Sequence, residues 1–336
     1  MSTYAESGVN IENGDACSRL AYAAAKATFA GRAGRIGAPA ILEDGFSGAL
    51  DMGDFFLVQN DDGVGSKMMV AEALGRFETV GHDLLAMVAD DAICVGAEVL
   101  TISNTVDIEK VDAQVIGPMM EGLKKACLEQ NIVIPGGEIA ELPGQVRGVI
   151  WNATSVGIVE KDKFIDGSKV VAGDKVIGIR SVGFRSNGFS LVRYVLKNQF
   201  GENWAHADYG DGRSWGEVVL TPSLIYHAQM LKLLGRYGQP RQVDVHGIVH
   251  VTGGGLDGNA ARVVRNGLKV KWTDLWPAHE PMLKLMEMGK ISEEEARKTW
   301  NMGTGMIVVL PESEVEKALS ILNEVFEAKV VGEITG

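Results

Sequence analysis

One stretch decides how the first half of this chain folds: Phe55-Phe56-Leu57-Val58-Gln59-Asn60-Asp61-Asp62-Gly63-Val64-Gly65-Ser66-Lys67. Its apolar start predicts a buried strand, and the strand ends in two carboxylates, two glycines and a lysine. Carboxylates at a strand end can hold a hard divalent cation, while glycines let backbone amides approach phosphate oxygens and a lysine adds positive charge. The same residues are typical of an ordinary polar turn, which Asp-Gly often marks. The stretch alone therefore leaves two interpretations, a metal and nucleotide site or a turn.

The size and charge of the chain limit the classes of protein to which it can belong. With 336 residues, 46% of them hydrophobic, the chain is long enough for two domains with a core each. Its formal net charge of -12 argues against non-specific binding to nucleic acid or to an anionic membrane. No uninterrupted apolar stretch is long enough to cross a bilayer. The three cysteines form no CxxC pair and the chain does not start like a signal peptide, so we expect a cytoplasmic location.

The order of predicted elements indicates the α/β (α+β) class, because strands alternate with helices. The expected elements are helices at 68–76, 78–95, 113–130, 189–197, 223–236 and 256–265 and strands at 99–106, 132–135, 176–180, 268–272 and 306–310. A polar, glycine-containing joint at 169–175 predicts a domain boundary. We therefore expect one domain at 1–170 and a second at 171–336.

Carboxylates recur in the first half. Asp91 shares the apolar stripe of its predicted helix with Leu84 and Val88, so it should point inward, where a lysine, a set of amide donors or a metal must offset its charge. Asp83 and Asp90 lie on a neighbouring line, which we interpret as a solvated acidic face.

A third acidic element is the motif GGEIAELPG at 136–144, which follows the predicted strand at 132–135. Together, Asp62, Asp91 and Glu138 suit Mg2+, which takes a few carboxylates and fills its other positions with phosphate oxygens and water. Two ordinary turns and one unusual helix explain this pattern less well than one shared site.

Two glycine-containing loops stand out in the second half. The first, GFRSNG at 183–188, precedes a helix whose free amides suit a phosphate, with Arg185 as a bidentate partner. The second, HVTGGG at 250–255, has three consecutive glycines, which either let the backbone approach a ligand or make a sharp turn. His250 is a base or a simple hydrogen-bonding residue. The chain has no Walker A, GxGxxG, GxSxG or HExxH motif.

With these pieces in place, the whole chain resembles the phosphoribosylformylglycinamidine cyclo-ligase (aminoimidazole ribonucleotide synthetase) family. The pieces that carry the resemblance are, in order, Tyr4 with GVNI at 8–11, DDGVGSK at 61–67, GHDLLAM at 81–87, Asp91 with GAE at 96–98, GGEIAELPG at 136–144, SNGFSLVR at 186–193, HVTGGGLDGNAARV at 250–263 and NMGTGM at 301–306. Several ordered matches are more specific than any one of them.

The resemblance implies a two-domain protein whose N-terminal domains pair in a homodimer and form a shared β-barrel, with ATP sites near the interface. It also implies that ATP, with Mg2+, activates the formyl oxygen of formylglycinamidine ribonucleotide, after which an amidine nitrogen closes the imidazole ring. This reaction of purine biosynthesis yields aminoimidazole ribonucleotide, ADP and phosphate. Such phosphoryl transfer needs positioning and charge neutralisation more than a protein nucleophile.

The resemblance also implies roles for the residues singled out above. The expected site comprises Asp62, Asp91 and Glu138 for the metal; these three with Gly63, Gly65 and Lys67 for ATP; Lys67, Asp91 and His250 for catalysis; and Arg185, Ser186, Asn187, Gly188, Thr252, Gly253, Gly254 and Gly255 for the substrate or its phosphate.

Three positions depart from the family pattern: Asp61 replaces Thr, Asp90 replaces Asn, and Arg185 replaces the His of a GPHSNG loop. Arginine cannot act as a base at neutral pH but can still bind phosphate. The alternatives are another ATP-dependent phosphoryl-transfer enzyme of the superfamily with a different substrate, such as a thiamine-monophosphate kinase, and a non-catalytic nucleotide-binding dimer. Selenophosphate synthetases and hydrogenase-maturation proteins are disfavoured, because neither the loop at 31–37 nor the C-terminus carries a cysteine.

Overall fold

Strand β3 and its neighbours form the first of two sheets. The computed structural model describes residues 3–9, 11–40 and 45–336, without the side chains of Ile11, Glu12 and Asp15. Asn10 of the GVNI piece therefore lies outside the described residues. The strands of this sheet are β1 Ala38–Ala40, β2 Gly48–Asp51, β3 Phe55–Gly63, β4 Glu98–Ile108, β5 Gly137–Glu141 and β6 Val149–Glu160, in the order β1-β2-β3-β6-β4-β5. Only the β4–β5 pair is parallel within the described sheet.

The second sheet is antiparallel throughout the described chain. Its strands are β7 Lys175–Arg180, β8 Gly247–His250, β9 Lys269–Trp272, β10 Thr304–Leu310 and β11 Ala328–Thr335, in the order β8-β10-β7-β11-β9. The predicted boundary at residue 170 lies between the last strand of the first sheet and β7.

Helices cover one side of the first sheet and surround the second. They are α1 Ile11–Ala27, α2 Met68–Leu74, α3 Val80–Cys94, α4 Ala113–Gln130, α5 Phe189–Phe200, α6 Trp215–Val219, α7 His227–Leu234, α8 Gly255–Ala260, α9 Glu280–Gly289, α10 Glu293–Thr299 and α11 Val315–Leu322. The α/β (α+β) class predicted from sequence is confirmed. Within the described ranges, none of these helices has both the length and the apolar character that a bilayer crossing requires.

Helix α3 is the central element of the fold. It packs against α4 and strands β3 and β6 on one side and against α7 and β8 on the other. Nearly all of its residues are buried, as expected for a helix with neighbours all round. Helices α5 and α6 pack in the same apolar cluster as α2, α3 and α4. This cluster therefore contains residues of both halves, while the strands of the second sheet pack in another cluster.

The strand predicted at 132–135 is wrong. Val133 forms only an isolated bridge to Thr101, and the pairing with β4 begins at Gly137. A side chain at Gly137 would lie 2.6 Å from the carbonyl oxygen of Asn104, so the two strands come close only where glycine removes that atom. Glu138 therefore lies within a strand rather than after one.

Strand β6 was not among the predicted elements, although it is the longest of the described strands. Its buried face carries small residues such as Ala153, Ser155 and Gly157, while its other face carries Ile150 and Ile158. Hydrophobicity consequently does not alternate along the strand, even though burial does. A strand cannot be recognised from alternating hydrophobicity when its inward-facing residues are small.

The face of the first sheet turned away from α3 and α4, here called the open face, is exposed. Its central side chains are Ser103, Thr105, Ile150, Asn152 and Thr154. Ile150, in the strand at the middle of the sheet, is 46% exposed.

The crossing of α3 over α4 depends on Gly81 and predicts the effect of a substitution there. A methyl group at Gly81 would collide with the backbone of Gly122 and Leu123, which cannot move without displacing α4. Gly81→Ala should therefore destabilise the protein by about 1–3 kcal/mol, the usual cost of overpacking. Denaturant unfolding followed by circular dichroism measures this.

The matched control is Gly14→Ala in α1, where no heavy atom of the described chain lies within 4 Å of the added methyl group. Alanine favours a helix over glycine by roughly 1 kcal/mol, so this variant should be neutral or slightly stabilised. Equal destabilisation by both substitutions would contradict the assignment of a tight helix crossing.

Candidate active site

Helix α3 carries three carboxylates at the junction of the two halves. Asp83 and Asp90 are fully buried, whereas the Asp91 side chain is 16% exposed. The predicted solvated acidic face is therefore wrong, because α7 and the loop before it cover this line of α3. Each of the two buried carboxylates pairs with a buried cation.

Lys67 neutralises Asp83. The Lys67 Nζ donates to Asp83 Oδ1 at 2.8 Å and to the carbonyl oxygen of Thr221 at 2.7 Å, and it lies 5.5 Å from the centre of the Phe189 ring. Asp83 Oδ1 also accepts the backbone N–H of Ser223. Burial lowers the pKa of Lys67, and the charge of Asp83 opposes this change. Lys67 thus ties the motif at 61–67 to the second half, and its contact with ATP phosphates stays a prediction.

Arg185 neutralises Asp90. Its Nη2 donates to Asp90 Oδ2 at 2.7 Å, and its Nη1 donates to the carbonyl oxygen of Leu224 at 2.9 Å. The guanidinium lies 4.8 Å from the centre of the Tyr226 ring and is 1% exposed. Burial raises the pKa of Asp90, while Arg185 opposes that shift. The side chain predicted to bind phosphate therefore points into the protein.

Asp62 and Asp91 lie together beside His250. His250 Nδ1 is 2.7 Å from Asp91 Oδ1, and Asn60 Nδ2 reaches Asp91 Oδ2 at 3.5 Å. Burial raises the pKa of Asp62 to about 6; the negative charge of Asp91 adds to this, and the N–H of Gly63 opposes it. Two neighbouring carboxylates suit a divalent cation, which would relieve the repulsion between their charges.

Glu138 lies apart from this pair. Strand register places it level with Thr105, Asn152 and Gly63, on successive strands β4, β6 and β3. Three strand spacings separate it from β3, roughly 14 Å. Asp62 belongs to the next row, which faces the other side of the sheet. The three predicted metal ligands therefore do not share one cation within this chain, and no group of three or more His, Cys, Asp or Glu in the described part of the chain could hold a metal.

A cavity of about 470 Å³ opens on the sheet beside this region. The residues lining it are Asp61, Asp62, Gly63, Ser103, Thr105, Asn152, Ala153 and Thr154. Asp61 accepts a hydrogen bond from Thr154 on the open face. The side chains of these two aspartates leave β3 in opposite directions, yet both border the cavity near the end of the strand.

The glycine loops of the two halves meet next to Asp62. Ser66 Oγ is 3.4 Å from Ser190 Oγ, and a side chain at Gly65 would touch the carbonyl oxygen of Ser186. Ser186 Oγ is buried without a hydrogen-bond partner in the described structure. A buried hydroxyl of this kind is typical of a site that a ligand completes.

The glycines in these loops have different roles. Gly188 and Gly255 have positive φ values, and a side chain there would collide with Trp300 and with the carbonyl oxygen of Arg297. Those two glycines are required by turns and packing. Gly253, by contrast, faces only Asn187 Oδ1 at 3.9 Å and leaves room for a ligand beside its backbone.

Asn259 was not among the site residues predicted from the sequence, although it supports the loop at 250–255. Its Nδ2 donates to the carbonyl oxygens of Thr252, Gly253 and Gly255 and so holds the loop at 250–255 in shape. Its position within the motif HVTGGGLDGNAARV was the available signal. A side chain on the helix after a glycine loop can fix that loop through its carbonyl groups.

Comparisons with known proteins identify the family. Models described as AIR synthase related protein, N-terminal domain and C-terminal domain, match residues 47–159 and 171–336. A phosphoribosylformylglycinamidine cyclo-ligase of Thermococcus kodakarensis is 36% identical over 336 residues, covering 100% of this chain and 96% of that protein. One from Pyrococcus furiosus is 38% identical over 335 residues with the same coverage. The chain belongs to the phosphoribosylformylglycinamidine cyclo-ligase family.

Solved structures agree with this family at the level of the fold. The hydrogenase maturation protein HypE in complex with ATP has a TM-score of 0.57 and 18% identity, covering 83% of this chain and 77% of that one. AaThiL complexed with AMPPCP and TMP has a TM-score of 0.58 and 15% identity, covering 88% and 86%. The resemblance found from the sequence motifs is confirmed.

Removing one partner of the buried Lys67–Asp83 pair should destabilise the protein. Lys67→Met leaves the buried Asp83 with only the hydrogen bonds from Ser223, so the free energy of unfolding should fall by about 3–5 kcal/mol, as when one partner of a buried pair is removed. The double variant Lys67→Met, Asp83→Leu removes both charges and should recover much of that loss. The denaturant midpoint of unfolding measures both variants.

The control for this prediction is Lys197→Met, which removes an exposed ion pair with Glu202. Exposed pairs contribute little, so its midpoint should stay close to that of the parent protein. A double variant no more stable than Lys67→Met would show that the two charges are not coupled.

Proposed function

We propose that this chain catalyses the ATP-dependent closure of the imidazole ring of formylglycinamidine ribonucleotide in purine biosynthesis. The main support is sequence identity: relatives named as cyclo-ligases are 36% and 38% identical to this chain over its full length. The superfamily members with other substrates that resemble it in structure are only 18% and 15% identical, so a different substrate is not favoured. A cytoplasmic location is part of the proposal.

The proposed reaction transfers a phosphoryl group and then expels it. The formyl oxygen attacks the γ-phosphorus of ATP and ADP leaves; the amidine nitrogen then attacks the activated carbon, phosphate departs, and loss of a proton from nitrogen completes the ring. Phosphoryl transfer of this kind depends on positioning and charge neutralisation, and Mg2+ supplies part of that neutralisation when bound.

Asp62 and Asp91 are the proposed cation ligands. They lie together at the junction of the halves, and the rise in the pKa of Asp62 reflects how poorly its charge is compensated there. Mg2+ bound with nucleotide needs only one or two carboxylates, so the pair suffices. We place Glu138 outside this cation site, as a contact to the nucleotide from beside Thr105, which lines the same cavity as Asp62.

The loops of the second half are the proposed phosphate-binding elements. Ser186 has an unpartnered buried hydroxyl, and Gly253 leaves its backbone accessible beside Asn187. The loop ending at Gly188 leads directly into α5, whose first amides suit an anion. Substrate bound here would lie against the Gly63 and Gly65 turn, where ATP phosphates are expected.

The activity prediction uses purified protein with Mg2+ and ATP, with and without formylglycinamidine ribonucleotide. ADP and aminoimidazole ribonucleotide should appear together and only when both substrates are present. Release of ADP regardless of the ribonucleotide would reject the cyclo-ligase assignment, and binding of ATP without turnover would favour a non-catalytic nucleotide-binding dimer.

The variant Asp91→Asn tests the proposed role of this one residue in a binding experiment. It should abolish Mg2+-dependent ATP binding in calorimetry, because an amide oxygen carries no charge for the cation, while circular dichroism stays unchanged. Asp244→Asn, an exposed carboxylate paired with Lys169, is the control and should bind normally. Unchanged affinity of Asp91→Asn would remove Asp91 from the cation site.

We further propose that the open face forms a homodimer interface and that two such faces close a shared barrel. The face carries Ile150 at the centre of the sheet, and exposed apolar groups on a long central strand are typical of a buried surface in an assembly. A second copy with the same face satisfies this requirement symmetrically.

Sedimentation velocity tests the dimer. The parent protein should sediment at twice the chain mass of 36.0 kDa, and Ile150→Glu should shift it toward the monomer. The matched control is Leu128→Glu on α4, a residue that is 71% exposed and lies on the other side of the sheet. A monomeric parent protein, or equal effects of both substitutions, would contradict the interface.

A further inference from the structure

Arg185 and Asp90, two positions where the family resemblance implies other residues, form a single contact. Arg185 and Asp90 are 95 residues apart in sequence, yet their side chains are joined at 2.7 Å with almost no exposure to solvent. Arginine at 185 needs a buried anion, and aspartate at 90 needs a buried cation. The two buried charges therefore compensate each other.

Several groups hold this pair in place. Asp90 Oδ1 accepts the backbone N–H groups of Tyr226 and His227 at 2.9 and 3.1 Å, and Leu224 accepts the other amino group of Arg185. Arg185 has a φ of 59°, a left-handed conformation that a side chain other than glycine keeps only when its surroundings fix it. The hydrogen bonds to Asp90 and to Leu224 fix the position of the guanidinium.

The same guanidinium nitrogen that binds Asp90 also lies 2.8 Å from His250 Nε2. A guanidinium donates hydrogen bonds and cannot accept them, so His250 Nε2 must be the unprotonated acceptor. The ring proton then sits on Nδ1, which donates to Asp91 Oδ1 at 2.7 Å. His250 is fully buried between these partners.

We propose that Arg185 is a positioning residue that holds His250 in its neutral, Nδ1-protonated form and thereby orients Asp91. The hydrogen bond from His250 fixes one oxygen of Asp91 and leaves the other turned toward Asn60 and the region of Asp62. Second partners of this kind orient a metal-binding carboxylate and typically matter for its affinity. His250 is then also a positioning residue, since neither ring nitrogen is left to remove a proton from substrate. The role of Asp91 rests on the proposed function; the state of His250 does not.

Nitrogen-15 NMR of the full-length protein without ligand tests the state of His250. The chain has six histidines, and the signals of His250 are those lost in His250→Gln. At neutral pH, Nδ1 should show the shift of a protonated nitrogen and Nε2 that of an unprotonated one, the reverse of the form that free imidazole prefers. A protonated Nε2 in the parent protein would overturn the proposal.

Arg185→Met tests the link to Asp91. The His250 signals should change toward the opposite or an averaged form, and Mg2+-ATP affinity should fall on the order of 10–100-fold, as for other lost outer partners of metal ligands. The double variant Arg185→His, Asp90→Asn avoids an unpaired buried charge and should recover part of the affinity. Arg213→Met, which removes an exposed arginine paired with Asp211, is the control and should leave both measurements unchanged.

The outcomes distinguish the positioning role of Arg185 from the proposed catalytic function. An unchanged His250 spectrum or unchanged nucleotide affinity in Arg185→Met overturns the positioning role. If Arg185→Met does not fold, the double variant and the spectrum of the parent protein still decide. If the spectra and affinities are as expected but the protein does not close the ring, only the cyclo-ligase assignment is rejected.

Discussion

The structure depends on neutralising two carboxylates buried on α3. Asp83 and Asp90 lie seven residues apart on one line of this helix, and each is paired with a cation that comes from a loop. Lys67 comes from the turn after β3, and Arg185 comes from the loop before α5. Because a buried carboxylate without a partner is costly, both loops must be in place before α3 can be covered. The same two pairs therefore complete the core and fix the loops that surround the candidate site.

Much of this arrangement could be predicted from the sequence. Helical periodicity predicted the observed bounds of α4, and the apolar run with its polar end predicted β3, with Asp62 near the end of the strand. Ordered motifs then identified the family. Periodicity could not tell which polar line of α3 is covered, because α7, which covers it, is more than 130 residues away in the chain. For that reason Asp83 and Asp90 were misjudged, and Arg185 was given an outward role.

The predictions for Glu138 and β6 failed for a different physical reason. Close strand approach at Gly137 and small inward residues in β6 set the sheet register, and neither is visible as a hydrophobic pattern. Register in turn decides which face a carboxylate occupies, so a one-residue difference separates Glu138 from the row of Asp62. Motifs indicated which residues belong to the site, whereas the pairing of strands determined which of them can act together.

The contact between Arg185 and Asp90 also bears on how the protein can move. It joins the second half to the first where both side chains are buried, next to the hydrogen bond from Val99 to His227. A hinge that opened the halves would bring both charges into water and separate apolar surfaces at the same time. Opening of the halves is therefore costly, and we expect any motion that admits a ligand to be confined to the loops.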